Sequence, residues 1–197
     1  MKFPPPLVTA LRTLTILPVP GDDADHPADS LVWFAVTGAL IGTILWGVQA
    51  LLSAILPGSD PRLFAAAVVI GGGLLTRGLH LDGLADWADA YWGGWTPERR
   101  LAIMKDSSLG TFGTVALVLL LLTKWTSVCV LLESAEPLWI VLAGVISRSI
   151  QVDLAASHDY ARPEGGTGAA FITDATASHQ RIALLTALVF TLALGAF

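Results

Sequence analysis

The chain has 197 residues, a formal net charge of −5 and a single cysteine. Hydrophobic residues make up 54% and charged residues 14%, against about 25% charged in soluble domains. A chain this apolar cannot cover a water-facing surface, so lipid is its main solvent, and its length suits one domain. The acidic balance excludes a general attraction to nucleic acid. Cys129, alone in an apolar run, excludes an intramolecular disulfide and any multi-cysteine metal site.

The opening stretch MKFPPPLVTALRTLTILPVPG places Pro4, Pro5 and Pro6 where the apolar region of a signal peptide would begin. Interrupted again by Pro18 and Pro20, it predicts an interfacial or re-entrant piece. Crossing about 30 Å of hydrocarbon takes about 20 helical residues. The first apolar run, 31–56, follows an N-cap at Ser30 or Asp29 and closes at Pro57-Gly58. The second, 63–79, contains Gly71-Gly72-Gly73, which suits close helix packing or a kink. Three more runs cover 110–132, 137–156 and 182–197, the last short for a full crossing. The pattern predicts an all-α polytopic membrane bundle, one domain over 1–197, with about five spanning helices plus interfacial ones.

With the N-terminus in the cytoplasm, Lys2, Arg12, Arg77, Arg99, Arg100, Lys105, Arg162 and Arg181 fall inside and Arg62 outside. That asymmetry satisfies the positive-inside rule. The two substantial loops, 80–109 and 157–181, then face the cytoplasm and form the expected site.

The first loop begins RGLHLDGLADWADAYWGG, residues 77–94. On a helix, Asp82, Asp86 and Asp89 project within an arc of about 60°. The other flank carries Leu81, Leu84, Ala85, Ala88 and Trp92, a stripe fit for the membrane interface, with Trp87, Tyr91 and Trp95 at headgroup level. An acidic face is out of place beside an anionic leaflet, where Lys and Arg are usual. A hard cation resolves this. Mg²⁺ takes oxygen ligands, few of them carboxylates, and completes its shell with water and substrate phosphate, so the trio points to phosphate chemistry. His80 lies off that face and suits local hydrogen bonding as well as substrate contact.

Downstream, TPERRLAIMKDSSLGTFG reads as a short helix with Thr96 at the N-cap and Pro97 at N1. Arg99 and Arg100 serve as topology anchors or substrate contacts. Lys105 and Asp106 stand at the membrane boundary. Ser107, Ser108, Gly110 and Gly113 open the next span, whose N–H groups can receive an anion. Arg148 lies inside a span with Asp153 five residues on, and intramembrane charges are functional by default. Lys124, nearer the far half of its span, can snorkel. In the second loop, HDYARPEGGTGAAF offers open backbone amides at Gly165, Gly166 and Gly168, and Arg162 as a bidentate phosphate ligand.

The segments LRTLTILPVPG, HLDGLADWADAYWGG, RRLAIMKDSSLGTFG and YARPEGGTGAAF, in that order, resemble the cobalamin synthase family, adenosylcobinamide-GDP ribazoletransferase. The resemblance implies an integral inner-membrane enzyme that needs Mg²⁺, its site facing the cytoplasm. It implies joining of adenosylcobinamide-GDP to α-ribazole or α-ribazole phosphate, with release of GMP. It implies that Asp82, Asp86, Asp89 and Asp106 hold metal, with Lys105 completing the catalytic set. Substrate would be held by His80, Arg99, Arg100, Ser107, Arg148, Arg162 and Gly165. Asp89 or Asp106 would accept the hydroxyl proton. Family members run a few dozen residues further, with more apolar helix. A looser similarity links the chain to CDP-alcohol phosphotransferases, but Asp86 stands where their pattern has arginine. An ion-coupled transporter is the rival from another class. It fits less well, because the carboxylates gather at one face and transporter sites lie near the midplane. A homo-oligomer is compatible with the sequence.

Overall fold

The computed structural model describes residues 3–195, and these are helical and irregular, with no strand among them. Lys2 and positions 196 and 197 of the last predicted run lie outside them.

The N-terminal segment forms α1 (Pro5–Leu14), started by prolines in its first turn. It is more than an interfacial piece, because Val8, Ala10 and Leu14 are fully buried. Arg12 folds the following loop back by donating to the carbonyls of Val19 and Gly21, both at 2.9 Å, and by pairing with Asp23 at 2.7 Å.

A 3₁₀ segment, Pro27–Trp33, runs directly into α2 (Phe34–Ile55). The expected cap at Ser30 or Asp29 is therefore corrected. Ser30 sits inside the 3₁₀ turn and donates its hydroxyl to the Pro27 carbonyl at 2.6 Å. Helix α3 (Pro61–Leu75) starts on a true cap, with Asp60 accepting from the Arg62 N–H at 2.9 Å.

Helix α3 ends four residues before the apolar run does. Thr76 donates its hydroxyl to the Gly72 carbonyl, and Arg77 and Gly78 both take positive φ, 52° and 66°. A left-handed pair cannot continue a helix. The next helix, α4 (Leu79–Gly93), consequently leaves at 86° to α3. Here α3 is the crossing element, and α4 turns out of the spans across one end of the bundle.

The remaining helices are α5 (Pro97–Ile103), α6 (Thr111–Glu133), α7 (Trp139–Ser157), α8 (Ala169–Ile172) and α9 (Ala177–Leu194). Helix α5 has the expected Thr96 cap, and α9 opens with a capping box between Thr176 and His179. Four segments are long and apolar enough to cross a membrane: Pro27–Ile55, Thr111–Glu133, Trp139–Ser157 and Ala177–Leu194. Taken together as one broken span, the bent α3–α4 pair would bring the number to five.

The spans are tied by small residues. Helices α2 and α7 touch backbone to backbone, where a Cβ on Gly38 would overlap the Gly144 carbonyl and one on Gly42 would lie 2.5 Å from the Val141 Cα. Gly71 and Gly72, where the sequence suggested close packing or a kink, receive the Leu45 side chain of α2 at 3.3 and 3.4 Å from where a Cβ would lie. The main core lies at one end, built from Leu14, Leu31, Phe34, Leu75, Val152 and Ala183. Helix α4, the α5–α6 connection, the C-terminus of α7 and the N-terminus of α9 all gather there.

Candidate active site

Helix α4 carries the acidic face. Its apolar flank packs on α6 instead of facing lipid, as the sequence had suggested. Ala85 and Ala88 are buried, and a Cβ on Gly113 would press on the Ala85 carbonyl. This docking decides the fate of Asp89. Its two carboxylate oxygens accept from the N–H groups of Gly110 and Gly113, each at 2.8 Å. The start of α6 was expected to receive a substrate anion, but Asp89 already fills it. The arrangement satisfies two of the unpaired N–H groups of α6 and places negative charge at its positive end. Gly110 and Gly113 are required, since a Cβ on either would collide with that carboxylate.

Asp89→Ala is therefore expected to destabilise the protein by about 1–2 kcal/mol, as an N-cap loss does. Asp89→Asn, which keeps one acceptor oxygen, should cost less than Asp89→Ala. Thermal unfolding in detergent checks this, and equal melting of all three proteins would contradict the capping role.

Asp106 is engaged differently. The Ser108 hydroxyl and then the Ser108 N–H, at 2.9 Å from Oδ1, hold its carboxyl below the usual range. It stays ionised and shapes the turn before α6. Among the described residues no group of three or more His, Cys, Asp or Glu side chains is gathered as a metal site. The expected four-carboxylate set of Asp82, Asp86, Asp89 and Asp106 is thus not preassembled. Asp82 and Asp86, one helical turn apart, make no hydrogen bond to the rest of the protein among the described contacts and remain free.

That pair still fits Mg²⁺, which is commonly held by one or two carboxylates plus substrate phosphates. Asp86 shows the strain of the arrangement. Partial burial, then the charges of Asp82 and Asp89, raise its carboxyl above the usual range, while Arg162 pulls the other way.

The second loop meets the first through two contacts. Lys105 pairs with Glu164 at 3.2 Å, and Arg162 donates to the Met104 carbonyl at 3.5 Å. The Glu164 carboxyl is held low by its own backbone N–H and by Lys105. Both partners are more than half exposed, so the pair is weak and exchangeable. Lys105 can leave Glu164 for a phosphate. Gly165 adopts a positive φ of 81° with open space around it, while the Tyr160 ring lies over Gly166 and Gly168. Ser107 is exposed beside Asp106.

Arg100 serves the scaffold. It donates from Nε to the Gly94 carbonyl at 2.9 Å and lies 5.2 Å over the Tyr91 ring. Tyr91 in turn stacks on Trp87 with centroids 5.1 Å apart. Arg99 is exposed and within electrostatic reach of Asp106.

Below α4, His80 Nε2 lies 3.2 Å from Gln151 Nε2 of α7, one helical turn from Arg148. Asp153 does not pair with Arg148, because its carboxylate takes the Gln180 amide at 2.6 Å. Sequence reading missed Gln151. The signal was a polar residue three positions from Arg148, one helical turn, on the same α7 face.

A family model described as cobalamin-5-phosphate synthase matches residues 6–197. The adenosylcobinamide-GDP ribazoletransferase of Chlorobium phaeovibrioides is 46% identical over 94% of this chain and 74% of its own length. That of Chlorobaculum tepidum is 49% identical over 93% and 71%. That of Pseudomonas syringae pv. syringae is 41% identical over 84% and 68%. No solved structure matches.

Proposed function

The chain belongs to the cobalamin-5-phosphate synthase family, and on that premise we infer that it catalyses the last assembly step of cobalamin. It is a membrane transferase that joins adenosylcobinamide-GDP to α-ribazole or its 5′-phosphate and releases GMP. The observation that carries this reading is the match along residues 6–197, which takes in both loops that meet at Lys105 and Glu164. The CDP-alcohol and transporter alternatives have no comparable support.

In the reaction a ribazole hydroxyl oxygen attacks the cobinamide-bound phosphorus. A new P–O bond forms, the bond from that phosphorus to the bridging oxygen breaks, and GMP leaves. Asp82 and Asp86 would hold Mg²⁺, which when bound supplies charge stabilisation for the phosphates. Lys105, released from Glu164, and Arg162 contact the pyrophosphate and stabilise the charge that develops on the departing GMP. A carboxylate of this pair that is left free of the metal would be placed to take the hydroxyl proton. The earlier candidates for that role, Asp89 and Asp106, are committed to the N–H groups of α6 and to Ser108.

Arg12, Arg77, Arg99, Arg100, Lys105, Arg162 and Arg181 lie on the segments at the site end and Arg62 at the other. This distribution supports a cytoplasmic site in a bacterial inner membrane.

The test is incubation of purified protein with adenosylcobinamide-GDP and α-ribazole, with and without Mg²⁺, and product analysis by mass spectrometry. Stoichiometric GMP and cobalamin, formed only with Mg²⁺, are expected. CMP release from a CDP-alcohol, with no GMP from the cobinamide substrate, would replace this reading with its rival.

A further inference from the structure

Three flat groups are stacked along one side of α4. The Trp87 and Tyr91 rings lie face to face, with centroids 5.1 Å apart and planes at 21°. The Arg100 guanidinium sits 5.2 Å from the Tyr91 centroid and is held from beyond the helix end by the Gly94 carbonyl. Trp87 stands one turn before Tyr91 and Gly94 follows it, so indole and guanidinium cover opposite faces of the Tyr91 ring. Because Trp87 and Tyr91 are i,i+4 neighbours, the column runs along the helix axis. The outer face of Trp87 therefore looks toward Gly83, one turn further back. That space is open, since among the described residues a Cβ on Gly83 would meet nothing within 4 Å. Trp87 and Tyr91 remain 51% and 45% exposed.

The sequence suggested that Trp87, Tyr91 and Trp95 sit at headgroup level. Trp95 fits that part, being 94% exposed. The other two are arranged differently: each spends one ring face on the other, and Tyr91 its second face on a cation. A row of π faces backed by a guanidinium, with one face bare, is a platform for a further flat ring. Its position matters. At 100° per residue, Gly83 lies about 60° around the helix from Asp86 and about 100° from Asp82, and between them along the axis. The bare face opens beside the carboxylate pair, on the side away from α6, which packs on Ala85. The transferase reading, on which this inference rests, brings a flat ring to that place. Relatives are named for adenosylcobinamide-GDP, and guanine is joined to its diphosphate through one ribose. With the diphosphate at Asp82 and Asp86, the base lies one sugar away, within reach of Trp87. The acceptor carries a base too, but in-line attack brings it from the side opposite the departing GMP. Of the two bases, the donor's is the one tethered to the diphosphate.

We propose that the Trp87 face over Gly83, backed by Tyr91 and Arg100, is the stacking site for the guanine base of the donor. It places the departing GMP beside Asp82 and Asp86. Tyr91 sets the tilt of the Trp87 ring, Arg100 closes the column at its far end, and Gly83 leaves room that a side chain would take. Every base has a π face, so the platform supplies affinity and placement, not a choice among bases.

The test uses the full chain in nanodiscs with Mg²⁺ and compares, by equilibrium dialysis, binding of GMP and of ribose 5-phosphate, which lacks the base. Wild type is expected to hold GMP about tenfold more tightly or better, the worth of one base stacked on an aromatic ring. Trp87→Leu, which keeps an apolar side chain without a π face, should erase most of that preference, and Trp87→Phe should keep part of it. Gly83→Leu should erase it by filling the slot, while melting at or above the wild-type temperature, because glycine is a poor residue inside a helix. In steady state, Trp87→Leu and Gly83→Leu should raise KM for adenosylcobinamide-GDP about tenfold and leave KM for α-ribazole unchanged. No preference for GMP in wild type, or an unaltered preference in both leucine variants, overturns the platform. A rise confined to KM for α-ribazole would put the acceptor's base there and overturn it as well. Equal losses for GMP and ribose 5-phosphate would mark the rings as lipid anchors and do the same. If a Trp87-dependent preference is found but no product forms, the transferase reading falls and the nucleotide platform stands. Product formed with Trp87-independent binding defeats the platform alone.

Discussion

Asp82→Asn is expected to lower kcat for GMP release by about 10²–10³-fold, the usual cost of removing one charge that stabilises a transition state. The same loss is expected for Asp86→Asn. The reason is the division of labour among the carboxylates. Asp89 is spent on α6 and Asp106 on Ser108, which leaves Asp82 and Asp86 as the pair free to meet metal and substrate. If the two act as one ligand set, their effects will not add. The double variant should be little worse than either single one.

Stability should move the other way. Like charges at i,i+4 repel by a few tenths of a kcal/mol, and Asp82 is exposed with no described hydrogen bond to lose. Without Mg²⁺, Asp82→Asn should melt at the wild-type temperature or slightly above it. Inactive and equally stable is the signature of a site residue; inactive and unstable would mark a scaffold residue. Full activity in Asp82→Asn would sink the assignment. So would a double variant in which the two losses multiply.

The sequence made the architecture readable because lipid imposes a simple rule. Uncharged runs about 20 residues long must be helices, and four of the five predicted runs are spans of nearly the expected extent. The exception is instructive. The run 63–79 is apolar to its end, yet Arg77 and Gly78 break it by backbone conformation, which hydropathy does not record. The acidic face was legible through helical periodicity, but the roles within it were not. Asp82, Asp86 and Asp89 look equivalent on a helical wheel. They differ because the start of α6 approaches only Asp89, and that contact spans 21 residues of chain. The partners of Arg100 were hidden for a similar reason, since Gly94 and Tyr91 come from the end of the preceding helix and its cap. The glycines show the limit most plainly. Gly71-Gly72-Gly73 is conspicuous in sequence but meets only side chains, those of Leu45 and Leu81, whereas Gly38 and Gly144 are unremarkable in sequence and touch backbone to backbone across the bundle.

That last contact carries the largest expected effect on folding. In lipid, helices gain little from apolar burial against one another and depend on close backbone approach. At the α2–α7 crossing each glycine's missing Cβ is the space occupied by the other helix's carbonyl. Gly38→Leu cannot be absorbed by a side-chain shift, because the obstacle is backbone. The helices must separate, and the buried Ala35, Val141 and Val145 lose their packing with them. Overpacking in a core typically costs about 1–3 kcal/mol, and the rigid obstacle puts this case at or beyond the upper figure. The control lies two turns and a half along the same helix. A Cβ on Gly47 would meet nothing within 4 Å, so Gly47→Leu should stay within about 0.5 kcal/mol of wild type. Reversible unfolding in mixed micelles separates the two. Because the α2–α7 pair also holds Arg148 and Gln151 in place under α4, Gly38→Leu should lose transferase activity together with stability. A Gly38→Leu protein that melts with wild type would mean that the crossing is wider than the backbone contact describes. In that case the placement of Arg148 beneath His80 would have to be redrawn with it.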